Sequence, residues 1–277
     1  MRSALTIAGS DSGAGAGVQA DLKTFAAFGV YGTCAIAAVT AQSSRGVTRI
    51  EALPADLVAA QIEAVVTDIA IDAAKTGMLP TAAVVEAVAA SIAAHGIRRL
   101  VVDPVLSATS GEALMDGPAV AALRTALLPR ATVVTPNVPE AEALSGMRID
   151  SNDDRKEAAR RIAALGPAAV VITGGHLPTP EVVDLLYDGA TFVELRHARV
   201  PGRHTHGTGC TFSAAVTAAL ALDYPLRDAV QEAQAYVARA IAAAPGLGAG
   251  RGPLGHVAWR RRPDAGRPED EREDQTP

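Results

Sequence analysis

The stretch "ALTIAGSDSGAGAGVQADLKTFAAF", residues 4–28, contains a short apolar segment, a run of glycines and an amphipathic segment in direct succession. The apolar segment "ALTIA" predicts a strand, because it is short and ends at Gly and Ser. The segment at 15–28 predicts a helix. The glycines between them let backbone N–H groups approach an anion or a flat ring. A strand that turns through glycines into a helix is the repeating unit of a parallel α/β sheet.

The same order repeats along the chain. Further strands are predicted at 33–39, 71–77, 100–103, 132–135 and 169–173. Helices are predicted at 55–68, 81–95, 117–128, 137–145, 153–164, 208–222 and 226–243. Asp188-Gly189 lies between two alternating runs, which is typical of a hairpin at an antiparallel edge. The alternation of strands and helices predicts a mostly parallel sheet with helices on both faces.

Composition narrows the function classes. The 277 residues are enough for one large α/β domain, which we expect over residues 1–259. The net charge of −5, without a basic stripe, argues against nucleic acid as a partner. No run approaches the roughly 20 apolar residues of a membrane helix, so no membrane partner is expected. Two cysteines without CxxC spacing, Cys34 and Cys210, favour a cytoplasmic protein without disulfides.

Each predicted parallel strand is followed by a glycine-rich or polar cluster. The clusters are "GSDSGAGAG", "TAQSS", "KTGM", "DPVLSATSG", "TPNVPE" and "TGGH". Open parallel sheets bind their ligands outside the carboxyl ends of the strands, so these clusters are expected to meet in one crevice. The first cluster is not a GxGxxG motif, a Walker A loop or a nucleophile elbow.

Several polar residues in these clusters have two interpretations. Asp103 follows a predicted strand, where it can cap a helix or hold a metal-bound phosphate. Asn137 and Glu140 are three residues apart at a helix start, which is the spacing of a capping box. Lys75 lies at a strand end, so a role in the crevice is favoured over simple solvation.

The motif "HTHGTGC", residues 204–210, permits three interpretations. His204, His206 and Cys210 can bind zinc, although a fourth ligand is missing. Cys210 can be a nucleophile with a histidine base. In the third interpretation the helix start binds a phosphoryl group through consecutive backbone N–H groups, those of Gly207, Thr208, Gly209 and Cys210. The same helix start is expected to lower the pKa of the Cys210 thiol, so that its thiolate accepts a proton.

The clusters "AGSDSGAGAGVQADLKTF", "TAQ", "KTGML", "VVDPV", "TPNVPEAE", "GGH" and "HGTGCTFSAA", in this order, resemble the hydroxymethylpyrimidine/phosphomethylpyrimidine kinases of thiamine biosynthesis. These kinases are part of the ribokinase-like superfamily. The resemblance extends from about residue 4 to residue 256. It implies a three-layer α/β/α sandwich, a homodimer, and ATP with Mg²⁺. The implied reaction phosphorylates 4-amino-5-hydroxymethyl-2-methylpyrimidine and then its monophosphate.

The resemblance also implies roles for individual residues. Gln42 would hydrogen-bond the aminopyrimidine, since its amide offers both a donor and an acceptor. Cys210 would be the base that accepts the proton of the substrate hydroxyl. The implied substrate pocket also contains Asp21, Met78, Gly9 and Val105. The implied nucleotide-binding residues are Asn137, Glu140, Thr173 and Gly175, and the implied metal ligands are Asp103 and Glu140.

The chain departs from the family pattern in two places. A lysine usually precedes "GGH", whereas this chain has Thr173-Gly174 before Gly175-His176, and the late "GPLNH" pattern is "GPLGH". The first departure bears on the nucleotide phosphate site. Two alternatives therefore stay open: a pyridoxine or pyridoxal kinase, and a pyrimidine-binding relative without catalytic activity.

The C-terminal segment, residues 260–277, is rich in Arg, Pro, Asp and Glu, which predicts a disordered tail. We expect that deleting residues 263–277 leaves the melting temperature and any catalytic rate nearly unchanged, because "PDAGRPEDEREDQTP" has no large apolar side chain to pack on a core. Thermal unfolding and steady-state assays of the full and shortened chains test this. A large loss of either would mean that the segment packs on the domain.

Overall fold

The computed structural model describes residues 1–107, 111, 114–175 and 181–258. His176 and the predicted tail at 260–277 lie outside these described residues. Among the helices described, none has both the length and the apolar character that crossing a bilayer requires.

Nine strands form a single sheet in the order β3-β2-β1-β4-β5-β6-β7-β8-β9. They are β1 (Ser3–Asp11), β2 (Tyr31–Ser43), β3 (Gly46–Ala52), β4 (Ala73–Thr76), β5 (Leu100–Val102), β6 (Val133–Val134), β7 (Val170–Ile172), β8 (Glu181–Tyr187) and β9 (Phe192–Ala198). Six neighbouring strands in this order are parallel to one another, namely β2, β1, β4, β5, β6 and β7. At the two edges, β3, β8 and β9 pair antiparallel.

Eight α-helices cover the two faces of this sheet within the described residues. They are α1 (Gly17–Ala27), α2 (Ala55–Val66), α3 (Ala82–Ala94), α4 (Gly117–Ala122), α5 (Val138–Ser145), α6 (Asn152–Ala163), α7 (Thr208–Ala221) and α8 (Leu226–Ala242). One apolar cluster joins the sheet to α2 through α6, and a second joins it to α1, α7 and α8. The arrangement is the expected three-layer α/β/α sandwich.

The central helix of one layer, α7, is almost wholly buried after its first turn. Its sequence "TGCTFSAAVTAALA" consists mainly of small residues, which let the helix pack closely on the sheet. Two buried aromatic side chains pack in the same layer, where the Phe28 and Tyr236 rings meet edge to face at 5.2 Å. A core with few aromatic residues therefore reaches its packing through short side chains and close backbone approach.

The prediction of a mostly parallel sheet with an antiparallel edge at Asp188-Gly189 is confirmed. Two details differ. The predicted strand at 33–39 extends to Ser43 and pairs with β3, a strand that the sequence does not predict, so a hairpin forms this edge of the sheet. The predicted helix at 117–128 changes to a π-helical turn over Leu123–Leu127 and a 3₁₀ turn at Leu128–Arg130, because Pro129 cannot continue an α-helix.

Candidate active site

The predicted crevice lies at the carboxyl edge of the sheet. There the ends of β1, β4 and β5 place Asp11, Lys75 and Asp103 beside the start of α7. Ser213, on the second turn of α7, donates to Asp103 Oδ2 at 2.8 Å. The structure therefore brings together residues that are more than one hundred positions apart in the sequence.

A buried ion pair lies at the centre of this edge. Lys75 Nζ is 2.9 Å and 3.0 Å from the two carboxylate oxygens of Asp21, and both side chains are fully buried. Thr6 Oγ1 also donates to Asp21, at 2.6 Å. Asp103 Oδ2 lies 4.0 Å from the same ammonium group. Burial opposes the charge of Lys75, but the attraction of neighbouring carboxylates, first of all Asp21 and then Asp103, outweighs it and raises the lysine's pKa.

Asp21, which the resemblance places in the substrate pocket, has no exposed surface in this structure. Both of its carboxylate oxygens are used by Lys75 and Thr6. Asp21 instead holds the Lys75 ammonium group in place beneath the crevice. Met78 and Gly9 do lie together, because a Cβ atom added at Gly9 would come within 2.6 Å of Met78 Cε. Val105 is partly buried in the turn after β5 and donates its N–H to Asp103 O.

The glycine-rich start of α7 has the conformation needed to bind an anion. Gly207 is the N-cap and has a φ of +80°, and a Cβ atom there would come within 1.8 Å of Gly15 O. Only glycine fits this position. The N–H groups of Gly209 and Cys210 have no acceptor among the described residues, whereas the N–H of Thr208 bonds to Thr205 O at 3.3 Å. Of the predicted anion-binding residues, Gly209 and Cys210 therefore offer free donors.

The expectation of a low pKa at Cys210 is wrong. Burial raises the pKa of the Cys210 thiol to about 12, and the carboxyl groups of Asp103 and Asp21 add to this effect. Lys75 and the N–H of Gly17 act in the opposite direction but are weaker. Desolvation thus outweighs the helix N-terminus. Without ligand, Cys210 is a neutral thiol.

Asn137 and Glu140 form the capping box of α5. Asn137 accepts a hydrogen bond from Glu140 N, and Glu140 Oε2 accepts one from Asn137 N, both at 2.9 Å. Burial and the nearby charge of Asp103 raise the pKa of Glu140 to about 8. Within the described part of the chain, no three His, Cys, Asp or Glu side chains are grouped closely enough to form a complete metal site.

Backbone hydrogen bonds fix the segment that follows β7. Thr173 N donates to Pro136 O at 2.9 Å, and Thr173 forms a bridge with Asn137. Gly174 N donates to Asp184 Oδ1 at 2.7 Å, and a Cβ atom at Gly174 would come within 2.2 Å of Val183 O. Gly175 is exposed next to this anchor. Two of the four residues expected at the nucleotide, Thr173 and Gly175, therefore lie at the carboxyl edge.

Gln42 lies at the far end of the crevice, in the hairpin formed by β2 and β3. It borders a cleft of about 460 Å³ lined by Gln42, Ser43, Ser44, Arg45, Gly46, His206, Gly250 and Arg251. His206 Nε2 is 2.9 Å from Asp11 Oδ2. His204 contacts Gly252 N and Arg203 Nε instead, so the two histidines have separate partners.

Asp11 organises the glycine-rich loop and was not predicted as a site residue. Its carboxylate accepts N–H bonds from Gly13, Gly15 and Ala16 at 2.8–3.0 Å. Burial raises the carboxyl pKa, but the bonds from His206 and these backbone groups outweigh it, so the pKa of Asp11 is lowered. The signal in the sequence is an aspartate shortly before alternating glycines, Gly13, Gly15 and Gly17, which is typical of a side chain that bonds the backbone a few residues later.

The sequence of this chain is similar to those of known kinases. The family model for phosphomethylpyrimidine kinase matches residues 11–255. The hydroxymethylpyrimidine/phosphomethylpyrimidine kinase of Bacillus subtilis is 47% identical over 259 residues, which are 93% of this chain and 96% of that protein. The thiamine biosynthesis bifunctional protein ThiED of Geobacter sulfurreducens is 47% identical over 255 residues, which are 92% of this chain and 52% of that longer protein.

Two solved structures show the fold similarity. The pyridoxal kinase from Staphylococcus aureus in complex with AMP-PCP and pyridoxal has a TM-score of 0.86 at 38% identity and covers 94% of each chain. The phosphomethylpyrimidine kinase from Clostridium difficile 630 has a TM-score of 0.78 at 40% identity, covering 87% of this chain and all of that chain. Kinases of both kinds therefore share this architecture.

We predict that Lys75→Met destabilises the fold by about 3–5 kcal/mol, because it leaves the buried Asp21 carboxylate without a cation. Urea denaturation measures this change. The double variant Lys75→Met/Asp21→Asn should recover part of the loss, since it also removes the unpaired charge. Arg49→Met is the control, because Arg49 and Glu51 form an exposed pair on β3 that should contribute little. A Lys75→Met variant as stable as the unchanged protein would contradict a charged pair.

Proposed function

The chain belongs to the phosphomethylpyrimidine kinase family, and from this premise we propose that it transfers the γ-phosphoryl group of ATP to 4-amino-5-hydroxymethyl-2-methylpyrimidine and then to its monophosphate. The product of the two steps is the pyrimidine diphosphate used to build thiamine. One observation carries the proposal: the unpaired N–H groups of Gly209 and Cys210 lie at the same sheet edge as the Lys75 and Asp103 cluster.

Charge stabilisation is the main task in phosphoryl transfer, because the transition state is loose and its charge is spread over the equatorial oxygens. The N–H groups at the start of α7 would donate to these oxygens, with the helix N-terminus favouring negative charge. Gly207 shapes this site through its left-handed conformation, and Thr208 completes the turn. Lys75 adds a fixed positive charge just below it.

Substrate and nucleotide would enter from opposite ends of the crevice. We assign the pyrimidine to the end lined by Gln42, Met78, Gly9 and Val105. The nucleotide would lie near the capping box of α5 and the segment after β7, at Asn137, Glu140, Thr173 and Gly175. Because Gly175 is exposed above a fixed anchor, its backbone is available to a phosphate without rearrangement of β7.

The donor set near the nucleotide fits Mg²⁺. Asp103 and Glu140 are buried carboxyl groups, the charge of Asp103 helps to raise the pKa of Glu140, and Mg²⁺ prefers such oxygen ligands. We assign these two side chains as its ligands. When bound with ATP, the ion supplies positive charge to the phosphate oxygens.

Cys210 is proposed as the base only after it loses its proton. The thiol is neutral in the free protein, and Lys75 is the cation that favours its ionised form. The catalytic rate should therefore rise with pH as the thiolate fraction grows.

A second candidate activity is phosphorylation of pyridoxal, which the similarity to the Staphylococcus aureus enzyme favours. A third candidate is a pyrimidine-binding protein without catalytic activity. We also propose that residues 1–259 act as a single domain. Two chains are proposed to form a dimer, which sedimentation of the purified protein tests.

The function is tested by measuring ADP release with ATP, Mg²⁺ and the hydroxymethylpyrimidine, its monophosphate or pyridoxal in parallel reactions. We expect turnover with both pyrimidines and a much lower kcat/KM for pyridoxal. The reverse preference would favour the pyridoxal kinase. Binding of the pyrimidine by calorimetry without ADP release would favour the non-catalytic relative.

Cys210→Ala should lower kcat by about 10²–10⁴-fold, the range for loss of a general base, with a smaller effect on both KM values. The pH dependence of kcat should also flatten. Cys210→Asp should retain more activity than Cys210→Ala, because a carboxylate can accept the same proton. Single-turnover rates at several pH values measure this. A near-normal rate for Cys210→Ala would mean that the backbone N–H groups alone carry the catalysis.

A further inference from the structure

Two arginines, Arg45 and Arg251, line the cleft of about 460 Å³ at the β2–β3 hairpin. Both side chains are exposed, and neither guanidinium group has an ion-pair or hydrogen-bond partner in the part of the chain that the structure describes. Among the described residues that line the cleft, none is acidic. The cleft therefore carries positive charge that this chain does not neutralise locally.

Backbone contacts hold Arg251 beside the hairpin turn. On one side of it, Gly250 N donates to Ser44 Oγ at 3.1 Å, and a Cβ atom at Gly250 would come within 2.0 Å of Ser44 O. On the other side, Gly252 O accepts from His206 N at 3.2 Å. Two like charges from segments 206 positions apart are thus held at one cleft, which is unfavourable unless an anion enters between them.

The cleft adjoins the start of α7. His206 lines it and directly precedes Gly207, the N-cap of that helix. His206 also contacts Asp11, but this carboxylate is buried and is bonded to His206 and to N–H groups of the glycine-rich loop. Its charge therefore faces hydrogen-bond donors rather than solvent. The exposed cations consequently lie at the opening of a cleft that borders the proposed site of phosphoryl transfer.

We propose that Arg45 and Arg251 form a cationic mouth that favours the pyrimidine monophosphate over the neutral pyrimidine alcohol as substrate. The proposal rests on the proposed function, in which the two substrates share one ring and differ by a phosphate. A phosphomonoester carries a charge of about −2 near neutral pH. Guanidinium groups suit phosphate oxygens in charge and in hydrogen-bond geometry.

The cationic mouth acts through the concentration of the dianion near the site. A cleft lined by one sign of charge attracts a substrate of the opposite sign, and this attraction weakens as salt screens it. A neutral substrate gains nothing from the same field. The second phosphorylation step should therefore depend on ionic strength, whereas the first step should not.

The test measures kcat/KM for the alcohol and for the monophosphate, each with ATP and Mg²⁺, at ionic strengths of about 0.03 M and about 0.3 M, where screening is weak and strong. In the double variant Arg45→Gln/Arg251→Gln, we expect kcat/KM for the monophosphate to fall about 3- to 10-fold at the lower ionic strength, mainly through KM. Its dependence on salt should flatten. The kcat/KM for the alcohol and the KM for ATP should stay the same.

Two control variants separate charge from structure. Arg49→Gln removes one positive charge from the same hairpin, but Arg49 is paired with Glu51 at 3.1 Å and does not line the cleft, so the preference between the two substrates should not change. Arg45→Lys/Arg251→Lys keeps both charges and should retain most of the dependence on salt. Circular dichroism confirms that each variant is folded.

An equal loss with both substrates, or an unchanged monophosphate-to-alcohol ratio in the folded Gln variant, overturns the cationic mouth. A rise in the KM for ATP alone also overturns it, because the arginines would then serve the nucleotide. Failure of the proposed function looks different, since the unchanged protein would release no ADP with either pyrimidine.

Discussion

The bond between Lys75 and Asp21 is the interaction on which this edge of the molecule depends. It joins β4 to α1 across the first crossover of the sheet, and it places a positive charge below the start of α7. Three groups whose charged forms are costly to bury lie next to that one ammonium group, namely Asp21, Asp103 and Cys210. A buried charge cluster is tolerated only when each member is paired, so the positions of β4, β5, α1 and α7 are constrained together.

The architecture was predictable from the sequence because its signals are local. Short apolar segments followed by glycines predicted the parallel strands, and the spacing of Asn137 and Glu140 predicted the capping box that the structure contains. The strand Gly46–Ala52 is not predicted, since four of its seven residues are exposed and its pairing with β2 depends on a partner strand rather than on its own apolar content.

The site was predictable in its location but not in its internal contacts. Each polar cluster follows a predicted parallel strand, and the carboxyl ends of parallel strands lie at one edge of the sheet. The clusters are therefore expected to meet there. The pairing of Lys75 with Asp21 joins residues 54 positions apart, and no local pattern encodes it. The pKa of Cys210 was misjudged for a related reason. A helix start is visible in "HGTGC", whereas the burial that outweighs it comes from Asp103, Asp21 and the packing of distant segments.

The close approach of Gly207 to Gly15 has a consequence for how the chain reaches this state. The first loop of the sheet is completed by a segment nearly 200 residues later, and α7 covers the face of β1, β4 and β5. During synthesis, those central strands exist with one apolar face uncovered until residue 221 has emerged. Long-range closure of this kind slows folding and leaves apolar surface open to association. The helix that completes the first loop therefore packs on the sheet only after all nine strands of the sheet have been synthesised.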